Sequence, residues 1–157
     1  MTAVSRLRGA CMLSCAAVDR LLIDRLGSAL QSSPVDGLVS AYLFGSRAAD
    51  RAHSESDLDV GVLFDRTRYP TRALRFDARV MLAAYLAGAL QTRDVDIVGL
   101  DDAPPTLVRT VMLDGLQVFC ANRAADHAAR RNALLRAADL DPFLRRMRRI
   151  KLAAIAR

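Results

Sequence analysis

The sequence has no tryptophan, a single lysine (Lys151) and two histidines (His53 and His127). Two histidines exclude a His-rich metal site, and His53 falls in a polar stretch as a solvated loop residue. The three cysteines are Cys11, Cys15 and Cys120, an odd number, with the first two at helical spacing. They match no zinc pattern and no disulfide framework, which fits a reducing cytosol. No apolar run is long enough to span a bilayer. The stretch from Gly9 to Val18, behind Arg6 and Arg8, superficially resembles a signal peptide. It is short, Asp19-Arg20 follows it inside a continuing helical pattern, and it has no small-residue cleavage site. Export is therefore rejected and a cytoplasmic location expected.

The 52% apolar content argues against disorder, and 157 residues suffice for one domain with a hydrophobic core. The net charge of +6 is uneven. Residues 121–157 hold ten Arg or Lys against three Asp, a balance of +7, which leaves the first 120 residues at −1. A basic tail can meet nucleic acid, a membrane surface or an acidic protein face, or form the solvated side of a helix.

The chain is organised around Ala41 to Phe64, AYLFGSRAADRAHSESDLDVGVLF, which reads as strand, tight turn, loop and strand. Strand periodicity places Asp57, Asp59, Gly61 and Leu63 on one face and Leu58, Val60, Val62 and Phe64 on the other. Two carboxylates side by side repel and raise each other's pKa, and a cation between them removes that cost. Mg²⁺ is characteristically bound by one or two carboxylates together with substrate phosphates. Gly45 permits close approach of backbone to ligand, and the amides after it and the Ser46 hydroxyl can donate to phosphate oxygens. A helical turn over Arg47 to Asp50 would add a field favourable to anions.

Gly45-Ser46, followed ten residues later by Asp57-Leu58-Asp59, resembles the signature of the nucleotidyltransferases related to polymerase beta. The wording Gly45-Ser46-Arg47-Ala48 is most similar to the minimal nucleotidyltransferases, many of them antitoxins paired with a HEPN-domain toxin. The family needs a third carboxylate on a later strand. The resemblance puts it at Asp96, inside Val95-Asp96-Ile97-Val98, with Asp94 on the same face as the fallback.

The rest of the chain reads as alternating elements. Val18, Leu21, Leu22, Leu26 and Leu30 predict a helix from near Ala16, ended by Pro34 and Gly37. Leu38 to Phe44 is the first strand. Thr71 is the expected N-cap of a helix to about Gln91, with Leu74, Ala78, Met81, Leu82, Tyr85 and Ala89 as its buried stripe. Because this helix joins two strands, a βαβ-like crossover is expected around it. The third strand spans Asp94 to Leu100, with Val95 and Ile97 toward the core. Pro104-Pro105 starts a helix with Leu107, Val108, Val111 and Met112 on its apolar face. Gly115 stands as its C′ residue, before a last strand from Leu116 to Cys120. After Asn122 the pattern is helical, with a break expected near Asp139 to Pro142. Phe143, Met147, Ile150 and Ala154 form one stripe there, flanked by Arg145, Arg146, Arg148 and Arg149.

The expected fold class is α/β (α+β): a polymerase beta-like nucleotidyltransferase fold, a small mixed sheet flanked by helices, with a basic C-terminal helical extension. Its divisions are an N-terminal extension (1–15), a minimal nucleotidyltransferase domain (16–121) and the extension (122–157), packed on the same domain or on a partner. The resemblance implies two Mg²⁺ ions held by Asp57, Asp59 and Asp96, with Asp96 also taking the acceptor's proton. It implies β/γ phosphates bound by Gly45 and Ser46, helped by Arg47. It further implies ATP as donor and a tyrosine of a HEPN RNase toxin as acceptor, so that adenylylation silences the toxin. Nucleic acid enters only through the basic tail, and a membrane not at all. Two other readings stay open: a module that neutralises its partner by occlusion, and an adenylyltransferase acting on an aminoglycoside-type small molecule.

Overall fold

A computed structural model describes residues 20–45, 57–92 and 94–155. Cys11, Cys15, Ser46, Arg47, His53 and the start of the first helix lie outside the described residues. Helix α1 covers residues 20–31 as far as described. It is followed by β1 (Leu38–Phe44), β2 (Leu58–Phe64), α2 (Arg72–Leu90), β3 (Val95–Gly99), α3 (Pro105–Asp114), β4 (Leu116–Cys120) and α4 (Arg123–Ile155). The strands form one mixed sheet in the order β3-β2-β1-β4. β1 is antiparallel to both β2 and β4, whereas β2 and β3 are parallel, joined through α2. A parallel pair requires such a crossover, and α2 supplies it.

Both faces of the sheet are covered. Leu58, Val60, Val62 and Phe64 of β2 point with Ala41, Leu43 and Ile97 into a core shared with α1 and α2. Leu63, Val39 and Tyr42 point into a second core against Val108, Val111 and Met112 of α3 and Ala133 of α4. A side chain at Gly61 would strike Val111 and Leu100, so its hydrogen lets α3 sit close on the sheet. A register irregularity between Leu38 and Ser40 shifts the alternation of β1. Val39 and the next residue, Ser40, therefore both serve the α3–α4 side.

Local signals explain most boundaries. Thr71 caps α2 by accepting from the Leu74 amide at 3.3 Å, and Gln91 ends it in the left-handed region at φ 55°. Pro104 and Pro105 open α3. Gly115 closes it in extended backbone at φ −79°, not in the left-handed conformation of a C′ glycine. What demands glycine there is space, since a Cβ would press on the Val111 and Leu43 carbonyl oxygens.

Two expectations about the helices need correction. The buried stripe of α2 is Ala78, Leu82, Leu86 and Leu90, while Leu74 and Met81 are exposed. The helix is rotated so that one narrow line at four-residue spacing meets the sheet. The break near Asp139 to Pro142 does not occur, because α4 runs unbroken for 33 residues with Pro142 inside it. Pro142 removes one backbone donor and crowds the carbonyl four residues before it, a local cost that the turns continuing on both sides carry. In the second half of α4, Phe143, Met147 and Ile150 are exposed.

The first turns of α4 are fastened to the sheet by a polar cluster. Asn122 accepts from the Ala125 amide at 3.0 Å and caps the helix. Asp126 is 2% exposed. It accepts from Ser40 Oγ at 2.6 Å, from the Tyr42 hydroxyl at 2.8 Å and from Gln117 Nε2 at 3.2 Å. Burial, then the hydrogen bond to Asp126, pushes the Tyr42 hydroxyl well above its ordinary pKa, so it stays a donor. Asp126→Ala orphans the buried Ser40 and Tyr42 hydroxyls, while Gln117 Nε2 keeps its bond to the Tyr42 oxygen, and is expected to cost about 3–5 kcal/mol. Urea unfolding of the variant beside wild type checks this, and a loss under about 1 kcal/mol contradicts the role.

Candidate active site

The site is built where β1 ends and where β2 and β3 begin. Asp57 stands exposed just before β2, and Asp59, partly buried, is its second residue. In the parallel ladder Asp59 is the direct partner of Asp96, as Leu58 is of Val95 and Val60 of Ile97. Neighbouring strands lie about 4.8 Å apart, so in-register residues on one face bring their side chains together. On its other side Asp59 pairs with Phe44, the last residue of β1, and Gly45 follows.

Electrostatics agrees with this placement. The Asp59 carboxyl is raised above the ordinary carboxylate range, first by burial and then by the charges of Asp96 and Asp57. Asp96 and Asp57 thus both lie near enough to act on Asp59. Asp94 is exposed and gives its backbone carbonyl to the Leu58 amide at 2.7 Å, which leaves Asp96 in register with Asp59.

Gly45 adopts φ 78°, and a Cβ there would overlap Asp59 Oδ2. The glycine therefore serves twice: it turns the chain through the left-handed region and leaves room for the carboxylate over its Cα. Ser46 and Arg47, the other residues expected at the phosphate end, lie outside the described residues.

Acids at the opposite end of the same strands behave differently. Asp101 accepts from the Phe64 amide at 2.9 Å and from Arg66 Nε at 3.0 Å. Asp102 takes both Nε and Nη2 of Arg75, at 2.9 and 2.8 Å, and that guanidinium holds its carboxyl below the ordinary range. Asp65 is lowered by the Thr67 hydroxyl and amide. Those carboxylates are satisfied structural groups. Asp57, Asp59 and Asp96 form no ion pair among the described residues.

Among the described residues no three His, Cys, Asp or Glu side chains are drawn close enough to hold a metal ion as they stand. The chemistry of the donors nevertheless fits a hard divalent cation: carboxylates alone, on one sheet face, with mutual repulsion that a cation would neutralise. Sequence reasoning missed Asp126. The only signal was Ser40, a polar residue in an otherwise apolar strand, and no pattern rule links it to an acid 86 residues away.

The fold and the mouth of its sheet define a small nucleotidyltransferase domain. Residues 29–124 match the family described as Polymerase beta, Nucleotidyltransferase, and the chain belongs to that family. It is 40% identical over 78 residues to Protein adenylyltransferase MntA of Shewanella oneidensis, a match covering 50% of this chain and 51% of that protein. The chain thus matches about half the length of this relative. Its fold is similar to that in a crystal structure of a toxin–antitoxin with AMP-PNP, with TM-score 0.59 and 25% identity over 86% of this chain and 98% of the other. The fold is also shared with a structure of a tri-AMPylated Shewanella oneidensis HEPN toxin in complex with MNT antitoxin, at TM-score 0.54 and 24% identity, over 88% of this chain and 99% of the other. Among the described residues no helix is long and apolar enough to cross a membrane.

Two outcomes check the site without any acceptor. Because its pKa is raised on folding, Asp59 holds its proton more tightly in the folded chain, so its contribution to stability falls as pH rises through that pKa. Asp59→Asn should therefore raise the melting temperature near neutral pH by roughly 1–5 °C. The gain should fade on acidification, and added Mg²⁺ should stabilise wild type more than the variant. Gly45→Ala should lose about 1–2 kcal/mol from backbone strain alone, together with most of the Mg²⁺ response; thermal scans with and without Mg²⁺ measure both.

Proposed function

We propose that this protein is a metal-dependent nucleotidyltransferase that moves AMP from ATP onto a tyrosine of a HEPN-type toxin and thereby acts as its antitoxin. The observation that carries the reading is the in-register pair Asp59–Asp96, with Asp57 alongside and the Asp59 pKa raised by burial and then by both neighbouring charges. Support for the donor and partner comes from the similarity to the adenylyltransferase MntA and to a toxin–antitoxin crystallised with AMP-PNP.

Asp57, Asp59 and Asp96 would hold two Mg²⁺ ions, which supply charge neutralisation for the phosphates when bound. Asp57, just before β2, and Asp59, within it, would face the triphosphate. Asp96, the most accessible from β3, takes the proton of the acceptor hydroxyl. That oxygen forms a bond to the α-phosphorus while the bond to the β-phosphate oxygen breaks. The products are the AMP ester and pyrophosphate, and the proton passes from Asp96 to solvent. Gly45, with Ser46 and Arg47, receives the departing β and γ phosphates. Positioning and charge stabilisation provide most of the acceleration.

A second reading, neutralisation of the partner by occlusion, is favoured by the uncovered apolar half of α4. Labelled ATP, Mg²⁺ and the product of the adjoining gene separate the two. Transfer to a tyrosine should be abolished by chelation and reduced at least about 10²-fold by Asp57→Asn, Asp59→Asn or Asp96→Asn. Undiminished labelling by all three variants rejects the assigned roles, and full protection of cells by untransferring variants favours occlusion. Labelling of an aminoglycoside with no protein acceptor would replace the toxin as substrate.

A further inference from the structure

A cavity at the far end of the strands and the uncovered half of α4 lie on one line. The cavity, of about 410 Å³, opens between α4 and the segments following β2 and β3. Its floor includes Leu63, Leu100 and Val108, and the α4 wall is narrow because it is built from Ala125 and Ala129. Asn132 and Arg136 stand at its mouth, and Arg136 makes no ion pair among the described residues. Spacings of three and four carry the same helix face onward from Arg136 to Leu140, Phe143, Met147, Ile150 and Ala154.

Ala137 is the last buried residue of α4. Beyond it the strip is bare, with Phe143 60% exposed, Ile150 53% and Met147 38%. The exposed apolar side chains and the cavity together offer on the order of several hundred Å², approaching the ~800 Å² per partner of a stable interface. A soluble helix keeps such a stripe only at a cost unless something covers it.

Charge decides between the possible occupants. Arg145, Arg146, Arg148, Arg149 and Lys151 border the strip, against Asp139 and Asp141, and Asp141 is already paired with Arg145 at 2.7 Å. A second copy laid antiparallel would set this basic border against Arg130, Arg131 and Arg136, and a parallel copy would set it against itself. An occupant with acidic borders meets complementary charge.

We propose that the strip from the cavity to the end of α4 is the docking site for an amphipathic helix of a partner protein, its apolar face bordered by Asp or Glu and one bulky apolar side chain seated in the cavity. The inference does not depend on the carboxylate chemistry, which lies at the other end of the strands.

The test uses the full chain and a synthetic helix of about 24 residues, roughly 36 Å long, with Leu at three-and-four spacing flanked by Glu, read by fluorescence anisotropy. A control peptide carries Lys for Glu. The Glu peptide should bind one to one, at least about tenfold more tightly than the Lys peptide, and more weakly with added salt. The double variant Phe143→Glu, Ile150→Glu should lose on the order of 100-fold in affinity while keeping wild-type circular dichroism and melting, since both positions are exposed. Ala129→Trp, which fills the cavity, should lose on the order of tenfold. Equal binding of the two peptides, no binding of the Glu peptide, or unaltered binding by the double variant overturns the proposal. So does a dimer of the chain alone that the double variant dissolves, or an RNA affinity above that for the Glu peptide.

Discussion

Parallel pairing of β2 with β3 is the contact on which the candidate site depends. It places Asp59 opposite Asp96 on one face of the sheet, with Asp57 just outside the first rung. Two carboxylates on adjacent strands are a local instability. The sheet tolerates it because the other face of the same strands is anchored by Leu58, Val60, Val62 and Ile97 in the core beneath α1 and α2. The strain is electrostatic and lies at the solvent edge, where a bound cation can relieve it.

The two ends of the strands are chemically distinct. At one end acids face acids across a glycine turn. At the other, Asp65, Asp101 and Asp102 meet Thr67, the Phe64 amide, Arg66 and Arg75 and become struts of the fold. Aspartate is thus used for opposite purposes within a few residues, and what distinguishes the uses is whether a donor faces the carboxyl.

The second fixed point is Asp126, held by Ser40, Tyr42 and Gln117 from the two strands beneath it. It ties the start of α4 to β1 and β4, so the helix leaves the domain in a defined direction. The small residues of its first turns leave a cavity against the sheet, and the larger ones beyond form the bare strip.

Local pattern sufficed for much of this. Alternation in Leu58–Phe64 separates core from acids, Thr71 and Pro104-Pro105 mark helix starts, and Gly45-Ser46 with Asp57-Leu58-Asp59 points to the family, because each depends on residues close in the chain. What depends on distant partners was not legible. Asp126 reads as an ordinary acid in the first turn of a helix until Ser40, Tyr42 and Gln117 surround it. The rotation of α2 that buries Leu86 in place of Met81 follows from where the sheet lies. Pro142 reads as a break until the turns on either side carry the helix through. The amino-acid order by itself determined the strands, most helix boundaries and the candidate acids, since periodicity and capping are short-range. Only the tertiary structure decided that Asp96 stands in register with Asp59 and that, among the described residues, the apolar side chains of the second half of α4 stay exposed, since strand order and helix placement arise from contacts between distant segments.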